Sequence, residues 1–144
     1  QASFGYAMGL VRLGRYQEAR DRLERDVKAF PEQFGFAHAL ARLLAAAPDD
    51  RARDGARAEA IAGDLLKIQR TSALAETMAM AQAERGKFKD AIGWQRTAID
   101  LARQSGRQQG MAHLAETLAL YEAGRPCRTP WTNDDPVHHP QPSS

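Results

Sequence analysis

The sequence predicts an all-α chain built as a stack of helical hairpins. Three observations carry that expectation. Two glycine-aromatic turns recur, Gly14-Arg15-Tyr16 and Gly86-Lys87-Phe88, each followed by an alanine at the same offset, Ala19 and Ala91. Apolar residues return at helical spacing up to the stop signal at Gly124, and no segment alternates apolar and polar residues with period two. Alanine, leucine, arginine, glutamate and glutamine dominate the same stretch, whereas valine, isoleucine and threonine are sparse. A turn that recurs between periodic segments marks stacked hairpins rather than a single catalytic unit.

Seven helices follow from periodicity and punctuation. The first, residues 3–13, stops at Gly14, which accepts the left-handed conformation that closes a helix. The second, 16–30, places Tyr16, Ala19, Leu23, Val27 and Phe30 on one stripe. Pro31 is expected to open the third from its first turn, where a missing N–H costs nothing. That helix runs to 46 with Phe36, Leu40, Leu43 and Leu44 inward. Pro48, Asp49 and Asp50 break the chain, and Asp50 or Asp54 caps a fourth helix with Ala58, Ile61, Ala62, Leu65 and Ile68 inward. Thr71 and Ser72 mark the cap of a fifth, which ends at Arg85 before Gly86. The sixth, 88–104, buries Phe88, Ala91, Ile92, Ala98 and Ile99. The seventh, 108–123, turns Met111, Leu114, Leu118 and Tyr121 to one side, and Gly124 with Pro126 beyond it is the stop.

Loops this short lay consecutive helices antiparallel, and a lone hairpin cannot bury its own apolar face, so the pairs must stack. Ala7, Ala41 and Ala79 fall at equivalent places in three first helices, where small side chains let backbones approach. Their spacing is about one 34-residue repeat, then one repeat lengthened by a short insertion placed at 49–54.

Composition narrows the function. At 144 residues the chain suits one domain. Twenty Lys and Arg face 18 Asp and Glu, interspersed along the helices, so these are solvated faces and not a nucleic-acid footprint. No apolar run reaches the length of a membrane span. Cys127 is alone and forms no internal disulfide. The sequence holds no Gly-rich phosphate loop, no His-Glu-x-x-His, and no Cys or His pair at metal spacing, so neither catalysis nor a cofactor is expected. His138 and His139, with Asp134, Asp135 and Cys127, are read as a disordered tail surface rather than a metal cluster. The chain opens at Gln1 inside a helical pattern without a methionine, which is expected of a piece cut from a longer protein. Its Ala/Arg-rich composition points to a GC-rich bacterium, and compartment is not legible.

On these residues the chain resembles tetratricopeptide repeats. In the first unit, 1–33, Tyr6, Ala7, Leu10, Gly14, Tyr16, Ala19, Leu23 and Pro31 fall on the family pattern. In the third, 72–106, Met78, Ala79, Gly86, Phe88, Ala91 and Ala98 do. The second, 34–71, is degenerate: Leu40, Ala41 and Leu44 fit, but its turn has become Arg53-Asp54-Gly55-Ala56-Arg57. The signature tryptophan is replaced by Ser3, Ala37 and Ala75. The ending from Leu120 to Pro126 is similar to the close of many bacterial repeat arrays, with 108–123 as the closing helix. The resemblance implies a right-handed α-solenoid over 1–125, more repeats or another domain upstream, and a concave groove lined by the first helix of each pair. A protein or peptide partner is the implied ligand.

Carried over residue by residue, the groove positions are Phe4, Met8 and Arg12, then His38 and Arg42, then Glu76, Met80 and Glu84. Aromatic, Met and Arg side chains are the types that concentrate binding energy. Met8→Asp or Met80→Asp is then expected to abolish capture without unfolding the chain. Phe4 and Met8 have a plainer alternative as core, and His38 and Arg42 as solvent-exposed neighbours on one helix face. A carboxylate clamp does not fit, because such clamps use inner-helix lysine and asparagine and the sole asparagine is Asn133 in the tail. The alternative to partner binding is a structural spacer or self-association domain of a larger enzyme or membrane-associated protein, pairing through apolar stack ends or the tail.

The tail, 126–144, carries Pro126, Pro130, Pro136, Pro140 and Pro142, which exclude helix and favour extended backbone. Trp131 is its expected anchor, and 126–131 is expected to fold back on the closing helix or to enter the groove of this or a neighbouring molecule.

Overall fold

The computed structural model describes residues 2–132 and Asp135, with residues 2 and 3 as backbone alone. Asn133, Asp134, Pro136, His138, His139, Pro140 and Pro142 lie outside the described residues. Seven α-helices and one 3-10 turn, with no strand, make up the described chain: α1 Ala2–Arg12, α2 Tyr16–Ala29, α3 Phe34–Ala46, the 3-10 turn Asp50–Ala52, α4 Gly55–Ile68, α5 Ser72–Glu84, α6 Phe88–Gln104 and α7 Met111–Glu122. None is long and apolar enough to cross a membrane.

The two glycine turns close their helices identically. Gly14 has φ +76° and Gly86 has φ +77°. Arg15 N–H reaches back to the Leu10 carbonyl at 2.9 Å, and Lys87 N–H to the Gln82 carbonyl at 2.8 Å. A second bond inside each, from Gly14 to Val11 and from Gly86 to Ala83, completes a Schellman motif. The same pair of bonds ends α6 at Gly106 and α7 at Gly124. The second connection is built differently. Asp49 caps the 3-10 turn through the Arg51 N–H, and Asp54 caps α4 through the Arg57 N–H at 3.1 Å. The Arg53 guanidinium ties this excursion down by donating to the Ala47 carbonyl at 2.7 Å. Gly55 then starts α4 where α2 has Tyr16 and α6 has Phe88, because a β-carbon there would stand 2.8 Å from Glu84 Cγ.

Pro31 does not open α3. It occupies the second position of a turn closed by the Gln33 N–H on the Phe30 carbonyl, 3.0 Å, and Gln33 is the N-cap. Proline suits that turn position, where φ is preset and no donor is needed. α7 starts at Met111, three residues later than periodicity predicts, since Gly110 takes φ +86° as its N-cap.

Each helix packs against the next in sequence, and α3 also meets α5. Alanines make the closest approaches: Ala7, Ala41 and Ala79, and Ala19, Ala58 and Ala91, are all fully buried. One continuous core links Ala7 on α1 to Cys127 beyond α7. Thr71 caps α5 through the Leu74 N–H, and Ser72 donates to the Ala98 carbonyl at 2.7 Å, fastening α5 to α6. Buried Gln95 donates to the Leu114 carbonyl at 2.9 Å, fastening α6 to α7. Ile68, expected inward, is 60% exposed because it falls in the last turn of α4, past the helices that cover Leu65. Phe30 is also largely exposed, although one ring face stacks on Phe36 with centroids 5.8 Å apart.

Candidate functional site

Beyond Gly124 the chain reverses and runs back over α5 and α3. Three contacts trace its path. Arg128 Nη2 forms an ion pair with Glu84 Oε1 on α5 at 2.7 Å. Arg42 on α3 donates through Nε to the Pro130 carbonyl. Trp131 packs half-buried against the core and borders, with Phe4 of α1, a cleft of about 390 Å³. Cys127 and Pro130 are buried more deeply than Trp131, so the strap is held by its backbone and small side chains as much as by the indole.

Beneath the strap lies a polar cluster. Arg42 Nη2 stands 2.9 Å from Glu76 Oε1, with both side chains under a tenth exposed. Arg42 Nη1 donates to Thr77 Oγ1 at 3.3 Å, and Thr77 donates its own proton to the Ala73 carbonyl at 3.0 Å. His38 Nε2 meets the same Thr77 oxygen at 2.8 Å. Because that oxygen already spends its proton on Ala73, the His38 nitrogen is the donor. Burial works against the charge on Arg42, yet the Glu76 carboxylate outweighs it and holds the guanidinium above its ordinary value. Burial, aided by the Arg42 charge, pushes His38 down to about 4, so the imidazole is neutral at pH 7. Burial likewise raises the Cys127 thiol and the Tyr121 phenol, which lie against this cluster.

The residues expected to line a partner groove fall into three environments. Met8 is 3% exposed and Met80 is 1% exposed, and both belong to the core. Met8→Asp and Met80→Asp therefore test folding before binding, because either would bury a charge. Arg42 at 7% and Glu76 at 6% are buried against each other and the strap. His38, Glu84 and Phe4 are partly buried; Glu84 also receives Arg53 Nε at 3.2 Å, and Phe4 sits 6.1 Å from Phe36. Arg12 alone stands exposed, in the last turn of α1. His38, Arg42, Glu76 and Phe4 thus meet at one cleft, whereas Arg12 and the two methionines do not reach it.

Residue reading missed Thr77, Arg128 and the Pro130 carbonyl. The available signal was Thr77 itself, a hydroxyl in the middle of the alanine- and methionine-rich α5, four residues after Ala73 whose carbonyl it takes. Among the described residues no three His, Cys, Asp or Glu side chains converge as a metal site. His138, His139 and Asp134, considered as ligands, lie outside the described residues. Comparison with protein-family models, curated proteins and solved structures finds no match to this chain.

Proposed function

We propose that the chain is a non-catalytic protein-interaction module of the tetratricopeptide kind, binding extended peptide across the face of α1, α3 and α5. In this reading α1–α2, α3–α4 and α5–α6 are successive hairpins of a short right-handed solenoid, and α7 closes the stack. The matching geometry of the Gly14 and Gly86 turns supports the repeat. So does the fully buried alanine four places into α2, α4 and α6.

One observation carries the binding role: a proline-bearing segment without helix or strand lies on α3 and α5 with its Pro130 carbonyl held by Arg42. Extended chain has no internal partners for its carbonyls, so a face that receives it must supply donors. The buried guanidinium does so, and Glu76 keeps it charged and in place. Panning the full chain against a displayed library of short peptides tests the reading. Enriched peptides should bind in the micromolar range or tighter and lose affinity by about tenfold with Phe4→Ala or Glu84→Gln, circular dichroism unchanged. An empty selection, or binding indifferent to both substitutions, places the interface elsewhere.

Exposed Tyr6 and Leu13 at the α1 end favour self-association as a second reading. A dimer seen by light scattering and dispersed by Leu13→Lys would support it; a monomer at all concentrations would remove it.

A further inference from the structure

We infer that the face recognises one pattern, a small residue, an arginine, any residue, a proline and an aromatic, and that the strap 126–131 is a built-in competitor for it. This deepens the peptide-binding reading and rests on it. Each position is justified by a contact. Cys127 is a small side chain sealed at 2% exposure, its thiol directed to the Thr129 carbonyl at 3.5 Å. Arg128 meets Glu84. Thr129 engages the strap through its carbonyl alone and is exposed, so its side chain is free to vary. Pro130 is buried, and proline alone enters such a site without bringing an N–H that needs a partner, while its fixed φ keeps the segment extended at low entropy cost. Trp131 reaches the cleft beside Phe4 and His38.

The strap does not fill that cleft. Among the described residues about 390 Å³ remains between Trp131, Phe4, His38, Glu76, Arg107 and Asp135, room for an extension past the aromatic that is apolar where this chain has Thr132 and Asp135. A partner carrying the pattern with such an extension makes every strap contact and adds apolar burial. It needs that surplus, because a tethered competitor acts at an effective concentration of about millimolar. The strap therefore sets a threshold: weak, non-matching segments are excluded, and a matching one displaces the chain's own copy.

Cys127 is the only cysteine in the chain, so its labelling reports strap opening in the full-length protein. Labelling with a thiol reagent should be about tenfold or more slower in the native chain than in urea, and Arg128→Glu should recover much of that difference. A synthetic peptide of residues 126–132 with alanine for the cysteine, at about millimolar concentration, should accelerate labelling severalfold. The same peptide with glutamate in place of its arginine should not. If both peptides accelerate labelling equally, the pattern is overturned while a peptide-binding face survives. If neither does, the competitor role is overturned, and the library selection decides the underlying reading separately. A native rate that falls with rising protein concentration would assign the occupant to a second copy's strap and overturn the intramolecular arrangement.

Discussion

The central stretches of α3 and α5 are buried all round, whereas α2, α4 and α6 each bury a single stripe. In α5 every residue from 74 to 83 is buried, and in α3 every residue from 39 to 46. In α2 the buried set is Ala19, Leu23 and Asp26; in α6 it is Ala91, Gln95, Ala98 and Ala102. Three neighbouring helices flank each of them, α2, α4 and α5 around α3 and α3, α4 and α6 around α5, and the strap adds cover on the remaining face. An irregular segment brings unpaired carbonyls with it, so the face it covers has to be polar. Arg42, Glu76 and Thr77 are that polar face, and their burial follows from what covers them.

The largest effect should come from removing one partner inside this cover. Glu76→Ala leaves Arg42 buried and unpaired, a loss of about 3–5 kcal/mol in urea unfolding. Replacing both together, Arg42→Met with Glu76→Leu, should recover most of it, because the desolvated charge disappears with its partner. A double variant as unstable as Glu76→Ala alone would show that the strap needs the Arg42 donor more than the core needs to lose a charge.

Next in size is a pH effect confined to the covered face. His38 titrates near 4 in the folded chain against an ordinary 6.5. The unfolded chain therefore binds the proton first as pH falls. Stability from this group is complete above 6.5 and is lost down to 4, by up to about 3 kcal/mol. The charged groups facing the imidazole are Arg42 and Glu76, with Thr77 and the Ala73 carbonyl as its hydrogen-bond partners. On α2, Glu24 is held below its ordinary 4.5 by Arg57 and Arg20, and it contributes a loss only below that value. Urea midpoints between pH 4.5 and 6.5 should slope in the parent chain and flatten with His38→Gln. An unchanged slope would remove His38 as the source.

The stripes of α2, α4 and α6 were legible because a half-exposed helix writes its burial as a 3.6-residue period. Ala19, Leu23, Ala58, Ala62, Leu65, Ala91 and Ala98 were all read correctly as inward. The glycine stops were legible too, since a positive φ leaves few alternatives to glycine. Pro31 misled because proline suits both a turn and a helix start, and only the Phe30 carbonyl decides between them. The covered face of α3 and α5 could not be read in full. Polar residues at regular spacing look solvated unless the chain that hides them is known, and the strap has no periodicity to announce where it lies. Trp131 and its prolines signalled that the tail docks somewhere, not that Arg42 and Glu84 receive it.

A smaller effect tests whether the turns are equivalent. Gly14→Ala and Gly86→Ala force a side chain into the left-handed region with open space around the β-carbon, so the cost is conformational and about 1–2 kcal/mol each. Equal losses are expected because both turns carry the same bonds. A much larger loss at Gly86 would mean that the turn between α5 and α6 transmits strain to the covered face, whereas α1 and α2 tolerate theirs.

The smallest effect sharpens the comparison most directly. Glu18 on α2 pairs with Arg15 at 2.8 Å, as close as Glu76 lies to Arg42, but both side chains are about half exposed. Water solvates the arginine once the carboxylate is gone, and two flexible side chains regain rotamer freedom. Glu18→Ala should therefore cost no more than about 0.5 kcal/mol, most of it from the lost charge in the first turn of α2. The two substitutions delete the same group at nearly the same distance from the same kind of partner. The pairs differ in cover and in reach, Arg42–Glu76 joining α3 to α5 and Arg15–Glu18 spanning three residues, so the ratio of the two losses in parallel urea titrations measures what burial between helices under the strap does to a charge. A ratio near one would mean that Arg42 finds water in the folded chain, and that α3 and α5 are open on the face where the strap is placed.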